Sequence, residues 1–163
     1  MSHHHAHVLW QRQADERFTD QRYSRRHTWK FDGGAVIAAA ASPQVVPLPL
    51  TDASAVDPEE AFIAALASCH MLWFLSIAAA AGWVVDRYED AAEGLLGPEH
   101  PPTPATPQPR TCITRVSLRP QVHFAGNHGP DPATLAHLHH QAHEACFLAA
   151  SVRFPIEIEM ANR

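Results

Sequence analysis

Residues 57–69 read DPEEAFIAALASC and carry the signals of a helix start followed by a long apolar run. Asp57 is a good N-cap, Pro58 suits the first helical position, and the two glutamates that follow place negative charge in the first turn. Apolar side chains then occupy every side of the helix until Gly82, which favours a helix end. The pattern predicts a central helix over 58–81 that is buried on every face, by the rest of the fold or by a partner chain.

Shorter elements flank this helix. The patterns predict strands at residues 7–12, 26–32, 35–41, 83–96, 111–124 and 152–160, and a second helix from Pro132, capped by Asp131, to about Ala150. The proline-rich segment 98–109 is predicted to be a loop that interrupts a hairpin. The order βββ-α-ββ-α-β predicts an α+β fold in a single domain over 1–163, with an N-terminal hairpin region (7–50), the central helix and a C-terminal region (83–163).

Composition narrows the function classes. The chain has 163 residues, of which 46% are hydrophobic and 18% charged, and its net charge of -5 gives no basic surface for nucleic acid. The apolar stretch 61–85 is interrupted by Ser68, His70 and Ser76, which argues against a membrane span. No secretory signal pattern is present, and three cysteines are too few for a disulfide scaffold. We therefore expect a cytoplasmic protein without nucleic-acid or membrane partners.

Two of the three cysteines fall on predicted helices. Cys69 lies in the central helix and Cys146 near the end of the second helix, so their thiols can meet if the helices pack together. Such a pair can act as an attacking and a resolving thiol. Alternatively, each is a small buried hydrophobic side chain. Cys112 begins a predicted strand and is interpreted as structural.

A reactive Cys69 needs a nearby cation, because a free thiol has a pKa of about 8.5 and apolar burial raises it. No lysine or arginine occurs between residues 31 and 86. The candidate cations are Arg22, Arg25, Arg26, Lys30, Arg115 and His70. Glu59 precedes Cys69 by about 15 Å along a straight helix. It can hold an arginine that leans towards the thiol, or serve only as a first-turn carboxylate.

The histidines suggest a different chemistry. His139, His143 and Cys146 share one face of the second helix at positions i, i+4 and i+7. With Cys69 and His70 opposite, they form a hypothetical Cys/His metal site. The spacing matches no strong metal-binding signature, so we do not expect a metal.

The stretch 57–69 resembles the central-helix signature of the OsmC/Ohr family, in which a Pro-Glu motif precedes an alanine-rich helix and a cysteine at the spacing seen here. Residues 143–151, HEACFLAAS, are similar to the family's second cysteine motif, although the family often has proline where Phe147 follows Cys146. The predicted order of elements also agrees along nearly the whole chain. The resemblance implies an OsmC-like, intertwined homodimer in which two central helices pack together and the sheets wrap around them.

The resemblance also implies a thiol peroxidase that reduces organic hydroperoxides in oxidative-stress defence. Cys69 would then be the peroxidatic thiolate, Cys146 the resolving cysteine that closes a disulfide, and Glu59 the carboxylate that orients an activating arginine. An external dithiol, such as a dihydrolipoyl protein, would reduce the disulfide. The family chemistry needs no metal, flavin or haem.

The chain departs from the family at the activating residue. The family's arginine lies in the N-terminal hairpin or just before the Pro-Glu motif, and neither stretch has an arginine here, so Arg25 or Arg26 is the predicted substitute. His70 follows Cys69 where phenylalanine is usual, which suggests a Cys–His pair. The residues predicted to contact a ligand are His70, Phe62, Leu66 and Trp73. The alternative function is a non-catalytic protein that binds a small apolar ligand.

Overall fold

The structure, a computed structural model, describes residues 1–160. The chain forms two compact units, an N-terminal unit of residues 1–61 and a C-terminal unit from Phe62 onward. The strands are β1 (Ala6–Leu9), β2 (His27–Phe31), β3 (Val36–Ala39), β4 (Val85–Asp90), β5 (Glu93–Pro98), β6 (Thr111–Leu118), β7 (Pro120–Phe124) and β8 (Ile156–Ile158). The helices are α1 (Pro58–Ala80) and α2 (Pro132–Ala145). The predicted α+β class is confirmed.

The N-terminal unit contains an antiparallel sheet in the order β1-β2-β3. The turn between β2 and β3 uses Gly34 at a φ of 87°, a left-handed conformation that glycine adopts without strain. β1 is shorter than the predicted strand 7–12 because the chain leaves the sheet at Trp10, whose ring packs against Phe18 and Tyr23. The first strand therefore ends in a small aromatic cluster.

The start of α1 matches the sequence prediction. The backbone N–H of Glu60 donates to Oδ1 of Asp57 at 2.8 Å, and the N–H of Asp57 donates to Oε2 of Glu60 at 3.2 Å. This reciprocal capping box satisfies two backbone donors at the helix start. It fixes the start of α1 and thereby places Cys69 in the middle of the helix.

Only one face of α1 is buried within the chain. Leu66, His70, Phe74 and Ala78 repeat every fourth residue and are at most 1% exposed, whereas Leu72 is 63% exposed. The prediction that the rest of the fold buries every face is wrong for this single chain, and burial by a partner chain stays a prediction. By length and composition alone, α1 also qualifies as a bilayer span, which is weak evidence because core helices of soluble proteins pass the same test.

The C-terminal unit has two sheets, one of β4 and β7 and one in the order β5-β6-β8. The predicted strands 83–96 and 111–124 are therefore wrong as single strands, because each is two strands in different sheets. At the second break the N–H of Arg119 donates to Oδ1 of Asp90 at 2.7 Å, and Pro120 has no N–H to donate. The proline-rich segment joins the antiparallel strands β5 and β6, so it interrupts a hairpin as predicted.

α2 starts where the sequence predicts but ends at Ala145, not near Ala150. The side chain of Asp131 caps its start, because it accepts hydrogen bonds from the backbone N–H groups of Ala133 and Thr134. Cys146 then adopts extended backbone angles, and a short 3-10 turn follows before β8, which is shorter than the predicted strand 152–160. The early end places Cys146 at the C-terminal cap of α2, outside the regular helix.

Candidate active site

The two helices bring Cys69 and Cys146 into contact. Their Sγ atoms lie 2.8 Å apart, and both thiols are free. Cys69 is half-buried in the middle of α1, whereas Cys146 is 2% exposed at the end of α2. A covalent S–S bond measures about 2.05 Å, so a disulfide needs the sulfurs to approach by only roughly 0.8 Å.

Cys146 is the donor in the hydrogen bond between the two sulfurs, and Sγ of Cys69 is the acceptor. Burial and this hydrogen bond together raise the pKa of Cys146. The backbone N–H of Ala149 donates to Sγ of Cys146 at 3.4 Å and helps to hold its orientation. The pair is thus asymmetric, with the acceptor sulfur on the half-buried Cys69 and the donor sulfur on the buried Cys146.

An aromatic pair flanks the thiols. Trp73 lies one helical turn after Cys69 on α1, and Phe147 directly follows Cys146. Their rings meet edge to face with centroids 5.5 Å apart. Because Phe147 is 71% exposed, the pair presents apolar surface close in sequence to both sulfurs.

His70 faces a second histidine and forms no hydrogen bond with a thiol in the described residues. Its Nε2 lies 3.1 Å from Nδ1 of His139, and the two rings are nearly parallel. Burial is the main factor that lowers the pKa of His70 to about 4, and the nearby charge of His143 lowers it further. At neutral pH the imidazole is uncharged, so the suggested Cys–His pair does not supply a cation to Cys69.

The two arginines predicted to assist the thiol are held by local partners in the N-terminal unit. The guanidinium of Arg25 stacks over the ring of Tyr23 at 3.8 Å and donates to the backbone carbonyls of Tyr23 and Gln21. Nε of Arg26 lies 3.1 Å from Oδ2 of Asp52, and this arginine side chain is 66% exposed. Of the two, Arg26 is the less constrained.

Glu59 has a different role from its neighbour Glu60. The carboxylate of Glu60 closes the capping box with Asp57, whereas that of Glu59 has no hydrogen-bond or ion-pair partner within the described N-terminal unit. Glu59 is half-buried. The carboxylate of Glu59 therefore takes no part in the capping of α1.

The hypothetical metal site is not assembled. Among residues 1–160 no group of three or more His, Cys, Asp or Glu side chains is arranged to hold a metal ion. His70 is instead within hydrogen-bond distance of His139, with Nε2 and Nδ1 3.1 Å apart. The Cys/His metal hypothesis is therefore not supported.

The remaining predicted ligand contacts are dispersed. Phe62 packs against Phe154 and lines a cavity of about 640 Å³ that also includes Cys112. Leu66 is 1% exposed and packs in the core with Val116 and Leu118. Phe62 is therefore placed on a cavity wall and Leu66 in the interior.

His139 is the site residue that the sequence pattern does not reveal as the partner of His70. The two lie 69 residues apart, and a shared helix face with Cys146 gives no information about the opposite helix. One sequence feature could have indicated that His139 is buried. It lies beside Leu138 and three residues before Ala142, and both are core residues of α2. A polar residue in an apolar stripe indicates that a buried partner is needed.

The fold and the site together define a small α+β protein with a dithiol centre between its two helices. Residues 51–161 match the family model described as OsmC-like protein, and the chain belongs to the OsmC family. The resemblance inferred from residues 57–69 is thus confirmed. No protein of curated function matches the chain.

Solved structures extend the comparison to nearly the whole chain. An OsmC-like protein of unknown function from Vibrio cholerae is 51% identical over 99% of this chain and 100% of its own, with a TM-score of 0.91. An organic hydroperoxide resistance protein from Legionella pneumophila is 17% identical over 98% and 97%, with a TM-score of 0.63. One from Elizabethkingia anophelis is 14% identical over 98% and 94%, with a TM-score of 0.66. The latter two show the shared fold.

Proposed function

We propose that this protein is a cysteine-based reductase of organic hydroperoxides. The observation that carries the proposal is the 2.8 Å contact between the sulfurs of Cys69 and Cys146, with Cys69 as the acceptor. Family membership supports the proposal, because two structural neighbours are called organic hydroperoxide resistance proteins. The Vibrio cholerae relative, of unknown function, neither supports nor opposes it.

The reaction divides between the two cysteines. The Cys69 thiolate attacks one peroxide oxygen, the O–O bond breaks, and the alkoxide takes a proton and leaves as an alcohol while Cys69 becomes a sulfenic acid. Cys146 then loses its proton and attacks the Cys69 sulfur, so that the S–S bond forms and water leaves. An external dithiol, proposed to be a dihydrolipoyl protein, supplies two electrons and two protons and restores both thiols.

The surroundings of the thiols suit this sequence of steps. The buried Cys146 keeps its proton until Cys69 has been oxidised, because burial raises its pKa. The Trp73–Phe147 pair offers apolar surface for the organic group of the peroxide. Glu59 is the proposed anchor of an activating arginine, with Arg26 the leading candidate and Arg25 the second.

A homodimer is part of the proposal. The face of α1 opposite its buried stripe exposes apolar surface, above all Leu72, which is 63% exposed. A second copy of α1 would remove this surface from water, as the family's intertwined dimer implies. We also propose a cytoplasmic location, with neither nucleic acid nor membrane as a partner.

Steady-state turnover tests the function. With cumene hydroperoxide as substrate and dihydrolipoamide as reductant, we expect multiple turnovers by the wild-type protein and none by Cys69→Ser. The matched control is Cys112→Ser, which removes the third thiol and should keep the wild-type rate. Full turnover by Cys69→Ser, or none by the wild type with any dithiol, would refute the proposed function.

The 640 Å³ cavity supports a second candidate function, the binding of an apolar ligand. Part of its wall is apolar, from Phe62, Ile113 and Phe154, and part carries charged side chains. The charged lining residues are Glu99, Arg110 and Arg153. A binding protein of this kind would keep all three thiols free during peroxide treatment. Its stability would rise when the ligand is added.

A further inference from the structure

Two histidines are buried in an apolar contact between α1 and α2. His70 is 1% exposed and His139 is 2% exposed. The core cluster around them contains Phe74 and Ala78 from α1 and Leu138 and Ala142 from α2. The ring of Phe74 also stacks on His139 with centroids 4.3 Å apart. The histidines are thus a polar pair inside a hydrophobic contact, a place where polar groups are rare unless they bond each other.

The hydrogen bond between the rings makes the helix contact sensitive to the register of α1 against α2. Nε2 of His70 and Nδ1 of His139 are 3.1 Å apart, so one ring donates and the other accepts. A hydrogen bond weakens steeply when its atoms move out of line, whereas apolar side chains tolerate small sliding movements. The free energy of the pair therefore depends on the register of α1 against α2 more sharply than that of the surrounding contacts.

The same two segments carry the thiols. His70 directly follows Cys69 on α1, and His139 lies on α2 seven residues before Cys146, which caps the C-terminal end of that helix. Any slide or rotation of α1 against α2 that breaks the histidine bond would also move Cys69 away from Cys146. The sulfur contact of 2.8 Å is a weak interaction by comparison, since thiols are poor donors and acceptors.

We propose that His70 and His139 are positioning residues that hold Cys69 and Cys146 in register for disulfide formation. Neither ring hydrogen-bonds a sulfur in the described residues, so their effect on the thiols is indirect. The kinetic consequence rests on the proposed peroxidase function. The equilibrium consequence, a high effective concentration of one thiol at the other, does not.

The equilibrium test uses the full-length protein in glutathione redox buffers at pH 7, where the constant for the Cys69–Cys146 disulfide is measured. His70→Phe and His139→Phe keep an aromatic ring but remove the hydrogen bond, and we expect each to lower the constant about tenfold. His70→Gln retains an N–H donor and should stay within about threefold of wild type. The matched control is His137→Phe, which changes an exposed histidine of α2 in the same way and should leave the constant unchanged.

The double variant separates positioning from folding. His70→Phe/His139→Phe leaves no unpaired buried nitrogen, so its denaturation midpoint should lie near that of wild type while its disulfide constant remains about tenfold lower. It also decides the question if a single variant fails to fold. A wild-type constant in the double variant, or an equal fall in His137→Phe, would overturn the positioning role.

Kinetic measurements then test whether the histidine pair affects the reaction with peroxide. In His70→Phe/His139→Phe, sulfenic acid formation at Cys69 should proceed within about twofold of the wild-type rate, while disulfide closure should slow about tenfold. If wild-type Cys69 forms no sulfenic acid, the proposed function fails and the glutathione result alone decides the positioning role. Equal slowing of both steps would contradict it.

Discussion

Two regions differ in how far they are arranged for the proposed reaction. One is the contact between α1 and α2, and the other is the arginine segment of the N-terminal unit, Arg25 and Arg26. Between the helices, the sulfurs of Cys69 and Cys146 are already 2.8 Å apart. In the N-terminal unit, Arg25 and Arg26 are bound to local partners. The sulfurs are therefore already close enough for disulfide formation, whereas either arginine proposed to activate Cys69 would first have to leave its present partner.

The largest effect is expected from removing the preorganised half. Cys146→Ser should still form sulfenic acid at Cys69 with one equivalent of hydroperoxide. Consumption of this sulfenic acid should slow by at least about 10³-fold, because a thiol that attacks from solution lacks the effective concentration of the neighbouring Cys146 thiol. Trapping of sulfenic acid with dimedone, followed by mass spectrometry, measures the lifetime. A short-lived sulfenic acid in this variant would show that Cys146 is not the resolving thiol.

The histidine pair gives the same helix contact a pH dependence. Burial lowers the pKa of both His70 and His139 from 6.5 to about 4, so the unfolded chain binds more protons between these values. The free energy of unfolding should therefore fall as the pH drops from about 6.5 to 4, on the order of 3 kcal/mol for each ring.

Urea denaturation across this pH range measures the effect. The His70→Phe/His139→Phe variant should show a much flatter profile, because its two buried imidazoles are gone. The control is again His137→Phe, which changes an exposed histidine of α2 and should keep the wild-type slope. An unchanged slope in the double variant would mean that other groups set the acid sensitivity.

The arginine segment should show a smaller effect that distinguishes its two cations. Arg26 is held by one ion pair and its side chain is 66% exposed, so the pair contributes little stability and can be released readily. We expect Arg26→Gln to slow the reaction of Cys69 with hydroperoxide about tenfold, and Arg25→Gln to have a weaker effect. Stopped-flow measurement of the first step checks this.

Asp52 provides the complementary variant. Asp52→Asn removes the anionic partner of Arg26, and the rate of the first step should stay at or above that of wild type. A fall in this rate would show that the Arg26–Asp52 pair itself supports the reaction. Loss of rate in Arg25→Gln but not in Arg26→Gln would reverse the assignment.

The smallest effect concerns the far end of α2. Asp131 accepts hydrogen bonds from the N–H groups of Ala133 and Thr134, so Asp131→Ala should lower the free energy of unfolding by about 1 kcal/mol. The disulfide constant should not change, because register at the thiols depends on the histidine pair. A parallel fall in that constant would show that general helix stability, and not the pair, positions Cys146.

Local signals predicted the framework of the fold well. The start of α1 followed from Asp57 and Pro58, and the cap of α2 followed from Asp131, because capping depends on residues within one turn. The breaks at residues 91–92 and 119 did not follow. At 119 the alternation of polar and apolar residues continues through the break, and at 91–92 two small residues join the strands without a glycine or proline to mark a turn. The split into two sheets depends on pairing between distant strands, which no local pattern encodes.

Only part of the site could be predicted, because local patterns do not encode contacts between distant segments. The two cysteines could be selected because each lies in a motif, and the structure places them in contact. The bond from His70 to His139 spans 69 residues and depends on how α1 packs against α2, so it could not be read from either helix alone. The local binding of Arg25 to Tyr23 was equally hidden, because it depends on the loop conformation.

A thiol count with peptide mapping shows whether Cys69 and Cys146 react together as a redox pair. Reduced protein is treated with one equivalent of cumene hydroperoxide, and its free thiols are counted before and after. We expect rapid loss of two thiols, mapped to one disulfide between Cys69 and Cys146, with Cys112 still free. Three free thiols after treatment, or a disulfide that includes Cys112, would contradict it.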